Sequence, residues 1–334
     1  MFRAGLVRAI NLIFAALVCL LLLPGVARAE ETPLAQATGA FEKGEYTRAI
    51  EILKSAASSE PNNGDIYVLL ARSYLELNQY DAAVNSAEKA VAINPKNSDY
   101  HRWLGEAYGA KADHASMLSA YSLARKTQKE FDAAVQLDPH NFDAQQDLIQ
   151  YDCTAPGVVG GGEEKALPLI EKLMKMDAAE GHYATGICRA QKKDYAAADA
   201  EFAKALESRP KTANRIYDIG DYFLQRKNAE KLLAVAGAGE DLAPQDPRGK
   251  FYRGVALILQ SQKLAEAEKL LRDYLQLAPM NSDYPRPWAV HYWLGRLQES
   301  QKSPAGARTE YQAALKLNAK YKPAQEALKQ LGHD

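Results

Sequence analysis

Residues 64–95 read GDIYVLLARSYLELNQYDAAVNSAEKAVAINP, and residues 30–61 read EETPLAQATGAFEKGEYTRAIEILKSAASSEP. Set one beneath the other, Tyr46 falls on Tyr80, Ala49 on Ala83, Ala56 on Ala90 and Pro61 on Pro95, each pair 34 residues apart. A period of that length marks stacked helix–turn–helix units, none of which buries its apolar face alone. Small residues let the two antiparallel helices of a unit approach, large ones fill the gaps beside them, and the proline stops the second helix.

The same register returns further along. Residues 179–212 carry Gly186, Tyr195, Ala198, Phe202, Ala205 and Pro210, and Ala267 precedes Pro279 by the same twelve residues that separate Ala198 from Pro210. Numbered within the unit, small residues stand at positions 8 and 20, aromatics near 11, 17 and 24, Ala at 27 and Pro at 32. This pattern resembles the tetratricopeptide (TPR) repeat family over nearly the whole chain beyond residue 29. The resemblance implies an all-α, right-handed superhelical solenoid whose concave face holds another protein, with no cofactor.

Eight units follow: 30–63, 64–97, 98–141, 142–178, 179–212, 213–247, 248–287 and 288–321. Lys322–Leu331, within a terminal segment 322–334, reads as a solvating helix over the last exposed face. Four units depart from regularity. The third is ten residues long, its excess in the Gly- and Pro-free run His114–Leu137, which reads as a lengthened second helix. The fourth holds Ala155-Pro-Gly-Val-Val-Gly-Gly-Gly162 between its helices. The sixth runs its second helix into Gly237 and Gly239, and the seventh adds Asn281–Pro287.

Residues 1–29 pose a separate question. Arg3 and Arg8 precede the uncharged run Leu12–Leu23, then Pro24 and Ala27-Arg28-Ala29. That is the order of a secretory signal peptide, with cleavage expected after Ala29 and a periplasmic or secreted mature chain. The run is shorter than the roughly 20 residues that span a bilayer comfortably, so an uncleaved signal anchor is the alternative. Removing three arginines and no acid takes the formal charge from −1 to −4. Nothing there resembles the basic footprint of a nucleic-acid binder.

Cys153 and Cys188 remain after cleavage, both late in the first helices of neighbouring units. They form either a disulfide, which an oxidising compartment permits, or two buried thiols. The glycine run ends Gly162-Glu163-Glu164 where a phosphate loop would end Gly-Lys-Ser/Thr, so it reads as an enlarged turn. His101, His182 and His291 all fall at position 4 of separate units and cannot converge on one metal ion. No nucleophile elbow and no cysteine–histidine pairing is present, so no catalytic residue is assigned and the chain reads as non-enzymatic.

The resemblance places positions 2, 5, 9, 12 and 13 on the concave face. Position 5 of the last four units reads Tyr183, Tyr217, Tyr252 and Tyr292. Rigid faces with one hydroxyl each suit peptide binding; packing between adjacent helices is the competing reading. Arg72, Arg102 and Arg296 are the expected charged anchors. The expected function is a scaffold or adaptor gripping an extended or helical partner segment. The alternatives are a periplasmic maturation factor for envelope proteins or cytochromes and, in another class, an enzyme with its site in the insertions.

Overall fold

A computed structural model describes residues 32–332; the signal-like segment 1–29 lies outside the described residues. Those residues form seventeen α-helices and one 3₁₀ turn, with no strand among them. In chain order the helices pair into hairpins. They are α1 Pro33–Glu42 with α2 Tyr46–Ser59, α3 Gly64–Glu76 with α4 Tyr80–Ile93, and α5 Ser98–Ala112 with α6 Met117–Leu137. Next come α7 Phe142–Thr154 with α8 Glu163–Met176, α9 Ala178–Gln191 with α10 Tyr195–Glu207, and α11 Ala213–Gln225 with α12 Ala229–Leu242. The array ends with α13 Arg248–Leu259 and α14 Leu264–Leu277, α15 Pro287–Ser300 and α16 Pro304–Leu317, and the single helix α17 Lys322–Leu331.

Local chemistry sets these boundaries. Pro61, Pro95 and Pro139 each follow a second helix, and the asparagine two residues on caps the next one. The side chains of Asn63, Asn97 and Asn141 accept hydrogen bonds from the backbone N–H groups of Asp65, Tyr100 and Ala144. Inside five of the eight hairpins the turn is made by one left-handed residue at position 15: Gly44, Asn78, Lys193, Lys227 and Lys302. Its N–H and the next return to carbonyls of the first helix, as Asn78 N to Leu75 O and Gln79 N to Tyr74 O.

The reason for a small residue at position 8 is visible in the third, fifth and eighth hairpins, where an aromatic ring of the second helix lies on the bare backbone of Gly105, Gly186 or Gly295. A Cβ on Gly295 would lie 2.3 Å from the Tyr311 ring, and one on Gly105 would lie 2.5 Å from Phe131. First helices of neighbouring repeats also touch, α1 with α3, α3 with α5, α5 with α7, α7 with α9, α11 with α13 and α13 with α15. They make an inner layer, and the second helices cover it.

Two large cores result, one over residues 37–123 and one over 198–297. Between them lie two small clusters, around Phe131 and Leu148 and around Ile149 and Leu173. There Cys153 in α7 and Cys188 in α9 are joined as a disulfide, with Cα atoms 5.3 Å apart. The covalent link sits where apolar burial is least.

The irregular units resolve as follows. α6 is 21 residues long, against 14 for α2 and α4. The glycine run is an enlarged turn whose carbonyls are held by neighbours: Gln128 Nε2 donates to Gly160 O at 2.9 Å and Tyr151 Oη to Val159 O at 2.9 Å. The sixth unit is intact. α12 continues through Gly237 and Gly239, and Gly239 is needed because a Cβ there would lie 2.3 Å from the Tyr217 hydroxyl.

Candidate partner-binding site

The insertion in the seventh unit decides the shape of the hollow. Pro279–Arg286 leaves α14 and lies against the first two repeats, more than 200 residues earlier in the chain. Met280 N donates to Glu42 O at 2.6 Å, and Tyr46 Oη donates to Met280 O at 2.9 Å. Ser282 N donates to Glu76 Oε1 at 3.1 Å, and Arg286 Nη2 reaches Glu76 Oε2 at 2.6 Å while its Nη1 donates to Met280 O at 2.6 Å. Gly44 permits the approach, since a Cβ there would lie 2.8 Å from Met280 Cβ. On its other side the strap is tied to the array it came from. Arg248 Nη1 donates to Asp283 O at 3.2 Å and Tyr274 Oη to Pro285 O at 2.8 Å.

Beneath the strap is a cleft of about 420 Å³. One wall is built from Leu34, Thr38, Phe41 and Glu42 of α1 and Asp65, Val68 and Arg72 of α3. These are positions 5, 9, 12 and 13 of the first unit and 2, 5 and 9 of the second, the faces expected to be concave. The opposite wall is Pro279, Asn281, Asp283 and Tyr284 of the strap, with Asn214 from α11. Arg72 lies between the Phe41 and Trp103 rings, 4.8 Å from each centroid, and its Nη2 is 3.8 Å from Asp283 Oδ2. Burial pulls its pKa below the usual arginine range, against the opposing pull of Asp283.

The tyrosines expected to line the groove are elsewhere engaged. Tyr217 is 2% exposed and Tyr252 1%, and their rings stack at 5.4 Å. Tyr252 Oη donates to Asp221 Oδ1 at 2.6 Å and to Tyr217 O at 3.1 Å. For these two the groove expectation is corrected: position 5 there packs repeat on repeat. Tyr183 is half-buried under the Arg215 guanidinium, 4.1 Å from its centroid, and burial pushes its phenol well up. Tyr292 is half-buried among Trp293, Tyr311 and Tyr321, where it seats the terminal helix.

Of the expected anchors, Arg72 alone borders the cleft. Arg102 Nε donates to Asp147 Oδ2 at 2.6 Å, and Arg296 Nε pairs with Glu299 of its own helix at 2.9 Å. The residues that the register did not single out are Arg215 and Arg248. Arg215 reaches Glu180 at 2.9 Å, Asp218 at 2.9 Å and Asp143 at 3.4 Å; Arg248 reaches Asp246 at 2.6 Å and Asn214 at 2.8 Å between the rings of Tyr217 and Tyr284. Both sit at the very start of their helices, outside the five groove positions, so the pattern carried no signal for them. Glu76 is at position 13 and was open to that reading.

A second cleft, about 490 Å³, lies between α5, α6 and α7 and the glycine-rich turn. Glu106 and Asp147 border it. Burial, then the neighbouring Asp147 carboxylate, pushes Glu106 up to about 7, and burial also raises Asp147. The position-4 histidines form a series of their own. His101, His182 and His291 each place Nδ1 2.6–2.7 Å from Glu130, Glu201 and Glu310 of the same hairpin.

Two tetratricopeptide repeat profiles match the chain, over residues 40–108 and 259–322. A 64-residue stretch is 38% identical to anaphase-promoting complex subunit 3 of Dictyostelium discoideum, covering 19% of this chain and 7% of that one. An 82-residue stretch is 29% identical to rhomboid protease GluP of Bacillus subtilis, covering 25% of this chain and 16% of that one. Among solved structures, a thermophilic TPR protein of Thermus thermophilus is 21% identical, covering 59% of this chain and 100% of its own, with a TM-score of 0.47. A tetratricopeptide repeat protein of Parabacteroides merdae is 15% identical over 90% of this chain and 97% of its own, with a TM-score of 0.44. Among the described residues no helix is long and apolar enough to cross a membrane. Arrays of such hairpins present extended surfaces to other proteins, and this chain has the build of an interaction scaffold. The matched profiles, the repeated turn and the ring-on-glycine packing agree: the chain carries tetratricopeptide repeats, matched over residues 40–108 and 259–322.

Proposed function

We propose that the protein is an exported interaction scaffold that receives an extended segment of a partner protein in the cleft between its first two repeats and the strap. The observation that carries this is the coincidence of an open volume of about 420 Å³ with the groove positions of α1 and α3. The groove tyrosines Tyr217 and Tyr252, by contrast, are buried against each other. The cleft offers apolar contact from Leu34, Phe41 and Val68 and hydrogen-bonding groups from Thr38, Asn214 and Asn281. That mixture fits a backbone with alternating side chains. Export is supported by the signal-like order of residues 1–29 and by the Cys153–Cys188 disulfide, which persists in an oxidising compartment.

The test is capture of partners from an envelope extract by the protein and by two variants, with bound proteins identified by mass spectrometry. Thr38→Arg with Val68→Arg fills the cleft and is expected to abolish capture of the specific partner. Tyr183→Ala with Tyr292→Ala, outside the cleft, is expected to leave capture intact if helicity is retained. Retention of the same partner by the filled variant would sink the assignment.

A further inference from the structure

α6 is the helix whose length the repeat does not require, and its first three residues, Met117–Ser119, are exposed. Met117 is 88% exposed and Leu118 87%, and Tyr121 is exposed beside them. At 3.6 residues per turn these three share one stripe, and Arg125 and Lys129 continue it along the helix. Leu123, Thr127 and Phe131 lie on the other side, buried in the array. Read from the tip, the exposed stripe is apolar, then aromatic, then cationic. Arg125 and Lys129 stand about 12 and about 18 Å behind Met117 at 1.5 Å per residue.

Charge is one-sided along that length. Lys126 adds a third cation, its ammonium 4.8 Å from the Tyr108 centroid. The first acid of the helix is Glu130, whose carboxylate lies 2.6 Å from His101 Nδ1. Asp113 stands in the turn before the helix and Asp132 beyond Glu130.

We propose that the α6 tip is a docking surface for an anionic lipid bilayer. Met117 and Leu118 enter the edge of the hydrocarbon, Tyr121 lies among the headgroups, Arg125 reaches back to the phosphates, and Lys126 and Lys129 lie within the field of the anionic surface. The order along the helix matches the order of the interface, in which apolar, aromatic and basic side chains settle at successive depths. A second copy of this chain is a poor occupant, because the same cations would face each other. The acidic balance of the remaining surface turns it away from an anionic bilayer, so the tip also fixes orientation.

The experiment is co-sedimentation of the protein beginning at Glu30, which retains all seventeen helices and lacks the apolar run Leu12–Leu23 that would itself enter lipid. Vesicles of phosphatidylglycerol mixed equally with phosphatidylcholine are compared with phosphatidylcholine alone. Binding is expected to the anionic vesicles, to fall with added salt, and to be weak on the neutral ones. Met117→Ser with Leu118→Ser is expected to lower the partition coefficient roughly tenfold or more. Lys129→Gln is expected to lower it about fivefold at low salt. These side chains are exposed, so circular dichroism should be unchanged in both variants. Absence of binding to anionic vesicles, or binding that survives the double substitution, overturns the proposal. So does a tip-dependent protein partner recovered without any lipid binding.

Discussion

Arg286 holds the strap to the first two repeats, and its replacement by alanine is the most direct probe of that closure. The side chain is 25% exposed and makes charge-assisted contacts of 2.6 Å to Glu76, itself 9% exposed, and 2.6 Å to Met280 O. Hydrogen bonds involving a charged group contribute about 1.5–3 kcal/mol each, and partial exposure places this pair near the lower figure in sum, about 2–3 kcal/mol. Every 1.4 kcal/mol is a factor of ten, so the closed population relative to the open one should fall roughly 30- to 150-fold. The readout is native-state hydrogen exchange at two amides that close the contact from the strap side, Met280 N–H on Glu42 O and Ser282 N–H on Glu76. Both should lose protection by about that factor in Arg286→Ala, while amides in α13 and α14 keep theirs. Glu76→Ala should do the same, and the double variant should cost little more than either single one. Unchanged protection at Met280 and Ser282 would refute the closure as a persistent state of the molecule.

Four further outcomes are expected. Burial disfavours the Glu76 carboxylate, but hydrogen bonds from Ser282 and Arg286 outweigh it and hold its pKa below the ordinary value; closure energy is therefore present at neutral pH and lost as pH falls through the folded value, seen as faster exchange at the same two amides in acid. Glu106, pushed up to about 7 chiefly by burial, behaves oppositely: its contribution is complete in acid and is lost as pH rises through 7, so Glu106→Gln should stabilise the protein by about 1–3 kcal/mol at pH 8 and do little at pH 5, measured by urea unfolding. Reduction of Cys153–Cys188, separated by 35 residues, should lower stability by about 3–4 kcal/mol on the chain-entropy account, with the small clusters around Phe131 and Leu173 losing exchange protection first. Gly295→Ala should lower the melting temperature, at a cost of about 1–3 kcal/mol, because its new methyl must displace the Tyr311 ring.

What the sequence made legible was whatever repeats. The helix pairs, the stop at Pro61 and Pro95 and the small residue at position 8 follow from a spacing that recurs often enough to be read. Even the lengthened α6 was readable, because a Gly- and Pro-free run with helical spacing has a length of its own. The site was not, for two physical reasons. Position 5 has a direction only relative to its neighbours: Tyr217 and Tyr252 stack because the repeats carrying them pack closely, and the bare backbone at Gly239 draws the Tyr217 hydroxyl inward. Met280 against Glu42 and Arg286 against Glu76 depend on the accumulated curvature of seven units, and curvature is a sum of small rotations that no local window contains. The insertion could be flagged as an irregularity, but its landing place could not.

The strap also alters how the array comes apart. In an open stack the first unit has a single neighbour, so it is ordinarily the first to fray, and melting travels inward one hairpin at a time. Here α1 and α2 rest on α3 on one side and receive Met280 and Arg286 on the other. The terminal hairpin has thus acquired the environment of an internal one, supplied by chain more than 200 residues away. Losing it requires the strap between the seventh and eighth units to let go as well, so the first hairpin and the seventh unit are coupled in melting.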